Sequence, residues 1–149
     1  MYGVLAVCTA LVLGTHDWAS GADGPELTAL TGRTSDGVRI QMEVLDGRLQ
    51  SFDTHVKVHC LNGETRQWRW YPADRVPVPF HQVGRHFRVI ERSSLTSRTP
   101  VSYGNSMYGV LTEDGRTAYG TIWARVMWTL RHGVVDCQGT ARFSVRARD

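Results

Sequence analysis

Apolar and polar residues alternate along most of this chain, and that alternation predicts strands rather than helices. In "VRIQMEV", Val38, Ile40, Met42 and Val44 fall on one face, and Arg39, Gln41 and Glu43 on the other. The run "FDTHVKVHC" sets Phe52, Thr54, Val56, Val58 and Cys60 inward, and Asp53, His55, Lys57 and His59 outward. Between the two runs, Asp46-Gly47 supplies residues that tolerate positive φ, as a tight hairpin requires. Leu49 is out of phase with the second run, which predicts a β-bulge near Gln50-Ser51. Asn62-Gly63 marks another hairpin, after which "TRQWRWY" places Trp68 and Trp70 on a common face.

Pro72, Pro77 and Pro79 then exclude a central strand, because proline has no N–H for the ladder; an edge or crossing segment is expected there. A strand is expected over Arg85–Glu91 and a polar loop over Arg92–Pro100. "SMYGVLT" and "TAYGTIWARVMW" flank the turn Glu113–Arg116 and read as a hairpin. Its second strand has Gly120, Ile122, Ala124, Val126 and Trp128 inward. After a turn at Arg131–Gly133, the last strand sets Cys137, Gly139, Ala141, Phe143 and Val145 inward. About eight strands with frequent turns predict an all-β fold, an antiparallel β-sandwich or jelly-roll-like barrel. At 149 residues the chain suits one domain with its own core.

The N-terminus changes this picture. Val4–Leu13 is an apolar run followed by the small residues Ala19–Ala22. That is the order of a signal h-region and cleavage zone, and the run is too short to span a bilayer. The first residues, "MYG", carry no Lys or Arg, so only the amino terminus is positive there. The expectation is a signal peptide over 1–22, a β-domain over 23–149, and a secreted, periplasmic or cell-envelope location without a stable membrane span. Losing the leader removes Cys8 and leaves Cys60 and Cys137, an even count that reads as one disulfide in an exported chain.

The segments "GRTSDGVRI", "CLNG", "YGTIWARV" and "DCQGTARFSVRA" give the chain its resemblance to an uncharacterised group of small exported bacterial β-sandwich domains. Members open with a G-x-T-S-x-G-x-x-I turn and strand and carry one Cys before a polar Gly turn. A second Cys precedes an aromatic strand near the end. The similarity runs from Thr31 to Ala147. It implies an exported all-β domain with a Cys60–Cys137 bond, and it carries over no catalytic residues. This chain departs from the group in its richness in Trp and its longer proline segment.

Candidate chemistry is sparse. Gly32 to Gly37 has the spacing of a phosphate loop, but Val38-Arg39 follows where Lys and Ser or Thr are required, and a strand begins where a helix is needed. The stretch reads as a turn whose Thr34 and Ser35 bond its own backbone. His55 and His59, four apart on a strand, lie about 13 Å from each other, too far for one metal. His81 and His86 flank Gly84, and the acids at the turns match no calcium loop. No metal and no cofactor is expected.

The aromatic residues are the better lead. Trp68 and Trp70 share a face beside Arg66, and Tyr119 and Trp123 share the face opposite Ile122 and Trp128. If exposed, such a set forms a platform for binding; if covered, it is core. The whole chain carries +3, and losing Asp17 with the leader makes the domain one charge more positive. Lys57 is the one Lys of the chain. Arg142, Arg146 and Arg148 give only a modest basic edge, so nucleic acid is not an expected partner. The expected function is a non-enzymatic domain binding a glycan, an envelope component or a protein. The alternative is a secreted hydrolase on a jelly-roll scaffold.

Overall fold

A computed structural model of the protein describes residues 26–71, 80–93, 101–130 and 133–148. Residues 1–22, where a signal peptide is expected, and Pro72, Pro77 and Pro79 lie outside these residues. The described chain is all-β, as the alternation predicts. Its strands are β1 (Leu27–Thr34), β2 (Arg39–Leu45), β3 (Arg48–Cys60), β4 (Thr65–Trp70), β5 (Phe80–Val83), β6 (His86–Ser93), β7 (Val101–Leu111), β8 (Thr117–Leu130) and β9 (Gly133–Ala147).

All nine belong to one antiparallel sheet in the order β4-β3-β2-β1-β9-β8-β7-β6-β5. Two meanders, β1–β4 and β5–β9, are joined where β9 pairs with β1. Chain neighbours are sheet neighbours within each meander, so the connectivity is up-and-down rather than jelly-roll. The sheet rolls over on itself, and residues from both meanders share one core, including Ile40, Met42, Phe52 and Val56 from the first and Val89, Met107, Ile122 and Phe143 from the second.

The predicted faces of β2 and β3 are found: Ile40, Met42, Val44, Phe52, Thr54, Val56 and Val58 are buried. Asp46 and Gly47 both have positive φ, 50° and 70°, so the β2–β3 turn has the handedness that suits twisted strands. The pairing runs Glu43↔Ser51 and then Val44↔Leu49, leaving Gln50 as the extra residue. That bulge explains why Leu49, out of phase in sequence, is buried. Three features lay beyond the pattern: β1, the short β5, and the start of β7 at Val101. In β1, Leu27 and Leu30 stand three apart and so fall on opposite faces, Leu27 exposed and Leu30 buried, which leaves too few apolar residues in phase to mark a strand.

Strand β9 has two partners along one edge. Near its end it pairs with β1, from Thr34↔Phe143 to Leu30↔Ala147. Near its start it pairs with β3, through His59↔Gln138 and Cys60↔Cys137. The ladder β3-β2-β1-β9 therefore closes on itself. A β-carbon on Gly139 would stand 2.0 Å from the Lys57 carbonyl oxygen, so only glycine lets β3 and β9 approach so closely. Between the two pairings, Ser35 takes over: its N–H donates to the Arg142 carbonyl (2.7 Å) and its hydroxyl accepts from the Arg142 N–H (3.1 Å). Thr34 does bond its own turn, accepting from the Val38 N–H, whereas Ser35 serves β9 instead. Cys60 and Cys137 form the expected disulfide across the closing pair, linking positions 77 apart.

Candidate functional site

The sheet has one inner surface and two outer ones, and the four sequence-predicted aromatic residues divide between them. Trp70 is buried and Trp68 half-buried; both face inward from β4 against the second meander. The Trp70 indole Nε1–H donates to Glu91 Oε2 (2.6 Å), and the Tyr103 hydroxyl donates to Glu91 Oε1 (3.1 Å). The Trp68 Nε1–H donates to Asn105 Oδ1 (3.2 Å), and its ring lies 5.4 Å from Tyr103 and 6.1 Å from Trp128. Burial first, and then the Glu91 charge and hydrogen bond, raise the Tyr103 pKa above the usual phenol value. This set ties β4 to β6–β8 with indole donors satisfied inside, the usual condition for burying Trp. Trp70 therefore belongs to the core and Trp68 to its margin, away from the outer surface.

Tyr119 and Trp123 lie on the outer surface, 52% and 38% exposed, and the structure adds a residue the sequence reading had not singled out, Tyr108 at 48%. The signal for Tyr108 was present: Met107 and Leu111 point inward, so the residue between them in phase with Ser106 must point out. Five of the eight exposed large hydrophobic residues among the described ones (Val83, Tyr108, Tyr119, Trp123, Val134) lie on the outer side of β5–β9, so the exposure is clustered.

Register fixes the layout of this surface. One cross-strand row is Arg88↔Tyr108↔Thr121↔Arg142. The row on one side is Ile90↔Ser106↔Trp123↔Thr140, and on the other His86↔Val110↔Tyr119↔Ser144. Tyr119 and Trp123 are thus both diagonal neighbours of Tyr108, about 7–8 Å from it, and about 13 Å apart along β8. The three rings form a zigzag strip with hydroxyls between them. Beside Tyr108 and Tyr119 lies an open groove of about 390 Å³, edged by His81, Val83 and His86. Two further depressions, about 390 and 570 Å³, adjoin Trp123 on either side.

The local sequence holds these rings in place. Tyr108 and Tyr119 are each followed by glycine, and Gly109 and Gly120 are paired across β7 and β8. A β-carbon on Gly109 would stand 2.2 Å from the Phe87 ring, and one on Gly120 2.0 Å from the Tyr108 carbonyl oxygen. Phe87 and Phe143 fill the inner side there with ring centroids 6.4 Å apart. The Arg88 guanidinium carbon lies 5.5 Å from the Tyr108 ring centroid, a cation–π contact. The Trp123 indole rests over Gly104, 3.6 Å from where a β-carbon would be.

His81 and His86 edge the groove beside Tyr108, whereas His55 and His59 are on the outer side of β3, where His59 Nδ1 meets Thr65 Oγ1 at 3.1 Å. Among the described residues no three His, Cys, Asp or Glu side chains gather in a group that could hold a metal. No family model, curated protein or solved structure compared with this chain matches it.

Proposed function

We propose that the protein is an exported, non-catalytic domain that binds an extended glycan along the Tyr119–Tyr108–Trp123 strip. One observation carries the reading: three partly exposed rings stand in a zigzag strip on an open sheet face, held by glycines and cross-strand register. A sugar ring presents C–H groups on its face and hydroxyls at its rim. Aromatic rings cover the first, and the neighbouring Ser106, Thr121, Thr140 and Arg side chains suit the second. A strip about 13 Å long matches a chain of several sugar units better than a single one. A stable protein–protein interface buries about 1,200 Å² or more around an apolar centre, whereas here polar side chains interleave the rings. Export is supported by the apolar segment Val4–Leu13 and by the Cys60–Cys137 bond, since disulfides persist in oxidising compartments.

The placement of acids favours binding over the hydrolase alternative. Glu91 faces inward and accepts from Trp70 and Tyr103. Asp136 is clamped by Arg125 at 2.6 Å. A glycosidase needs two carboxyls facing one bond, about 5–9.5 Å apart. The test is titration of the mature protein with a panel of oligosaccharides, followed by Trp fluorescence and NMR. Binding that shifts the Trp123 indole and weakens about tenfold or more in Tyr119→Ala supports the reading. No binding across the panel, or turnover of a saccharide, overturns it.

A further inference from the structure

We infer that the ligand of this strip is an acidic glycan, a polysaccharide bearing carboxylates such as a polyuronate; the inference rests on the glycan reading above. The observation is the charge of the surface around the rings. Arg88, Arg92, Arg125, Arg142 and Arg146 all face outward from β6, β8 and β9. Among the described residues, Asp136 is the one acidic residue facing outward from the strands β5–β9 themselves, and Arg125 already neutralises it through charge-assisted hydrogen bonds from Nε and Nη2, while Glu113 and Asp114 stand exposed on the β7–β8 turn. Arg88, Arg92, Arg142 and Arg146 make no ion pair with a described carboxylate. The positive field these side chains sum to over the surface favours an anionic partner over an uncharged one.

Register places the cations where a stacked acidic sugar would need them. Arg88 and Arg142 are the two ends of the row that holds Tyr108. The next arginine row, Arg92↔Gly104↔Arg125, borders Trp123 on its far side. A chain stacked along the rings therefore meets a guanidinium on either flank. The guanidinium fork pairs with a planar carboxylate through two parallel hydrogen bonds. Arg88 is already held against Tyr108, so little freedom remains to be lost when it pairs.

The test compares a hexamer of galacturonate with its methyl ester, the same skeleton with its charge masked, and with a single-stranded oligonucleotide of equal charge. The expected result is binding of the acid about tenfold or more tighter than the ester, with the ratio falling toward one in Arg88→Gln/Arg142→Gln. Equal binding of acid and ester overturns the inference and leaves the glycan reading standing. A ratio unchanged in the double variant also overturns it. Absence of binding by both saccharides removes the glycan reading and this inference with it. Oligonucleotide binding as tight as the acid's, and unaffected by Tyr119→Ala/Trp123→Ala, identifies a general polyanion surface and overturns the inference.

Discussion

On the outer side of β1–β4, opposite charges meet; on the outer side of β6–β9, most of the charges have one sign. Asp53 pairs with Arg69 at 2.6 Å, Glu43 accepts from Ser51, and Arg33 donates to the Gly37 carbonyl. The hydrogen bond from Arg69 holds the Asp53 carboxyl below the ordinary aspartate range. The first surface is thus a hydrogen-bonded polar skin, of the kind that keeps a sheet face soluble. The second keeps aromatic rings half in water and, Arg125 with Asp136 apart, arginines that pair with no described carboxylate. Both surfaces come from the same alternating strands, so the difference lies in which residues fill the outward positions. That difference sets the outward positions of β6–β9, where rings and arginines gather, apart as the surface on which the proposed binding rests.

The largest blow to this comparison is loss of the bond that joins the two regions. Cys60 lies on β3 and Cys137 on β9, so Cys60→Ser or Cys137→Ser releases the closure. The expected destabilisation is about 4 kcal/mol in the chain-entropy model, seen as a melting temperature lowered by on the order of 10 °C. An unchanged melting temperature would mean that the two meanders hold each other without it.

Next comes Gly120→Ala, which forces a β-carbon against the Tyr108 carbonyl. The expected cost is about 1–3 kcal/mol, as for other overpacking changes. Hydrogen exchange should loosen on β7–β8 and remain slow on β2–β3. Equal loosening on both would show that the two surfaces are not separate structural units.

A smaller effect is expected from matched removal of charge. Arg39→Gln/Lys57→Gln takes two positive charges from the β1–β4 surface, as Arg88→Gln/Arg142→Gln does from the other. The first pair should change oligosaccharide affinity less than about twofold in calorimetry, because surface charges farther off than about 10 Å are screened at ordinary salt. A loss as large as that of the second pair would dissolve the distinction between the surfaces.

The smallest effect concerns Asp136. The Arg125 hydrogen bond, outweighing burial, lowers its native pKa below the ordinary value of about 3.9. A depressed native pKa stabilises the fold above the unfolded value, and that contribution is lost as pH falls through the native one. Asp136→Asn should therefore lower the melting temperature slightly at about pH 7 and make no difference at about pH 2. A difference that persists in acid would assign the effect to packing rather than to the ion pair.

Alternation alone was enough to assign faces to β2, β3, β8 and β9, because a residue's side of a strand follows from counting by two. The phase of Leu49 disclosed the bulge at Gln50 for the same reason. That counting also set Tyr119 and Trp123 opposite Ile122, and it would have set Tyr108 outward had it been carried through β7. Pairing of Cys60 with Cys137 followed from the even count of two cysteines that remains when the expected leader is set aside.

Counting by two says which residues share a face, but not which face is covered. Trp68 and Trp70 on one strand and Tyr119 and Trp123 on another look alike in sequence. Only the roll of the sheet, which lays β4 across β6–β8, buries Trp70, half-buries Trp68 and leaves the second two partly in water. The double pairing of β9 was likewise out of reach, since it depends on close approach at Gly139 and on Ser35 bonding a residue 107 positions away. The same holds for the arginine rows around the rings: Arg88 and Arg142 come from strands distant in the chain, and register alone puts them in one row with Tyr108. The sequence by itself thus determined most of the strands, the faces of β2, β3, β8 and β9, and the disulfide, which are local or counted properties. The tertiary structure decided what is inside, what is outside and which charges stand together, because those depend on contacts between segments far apart.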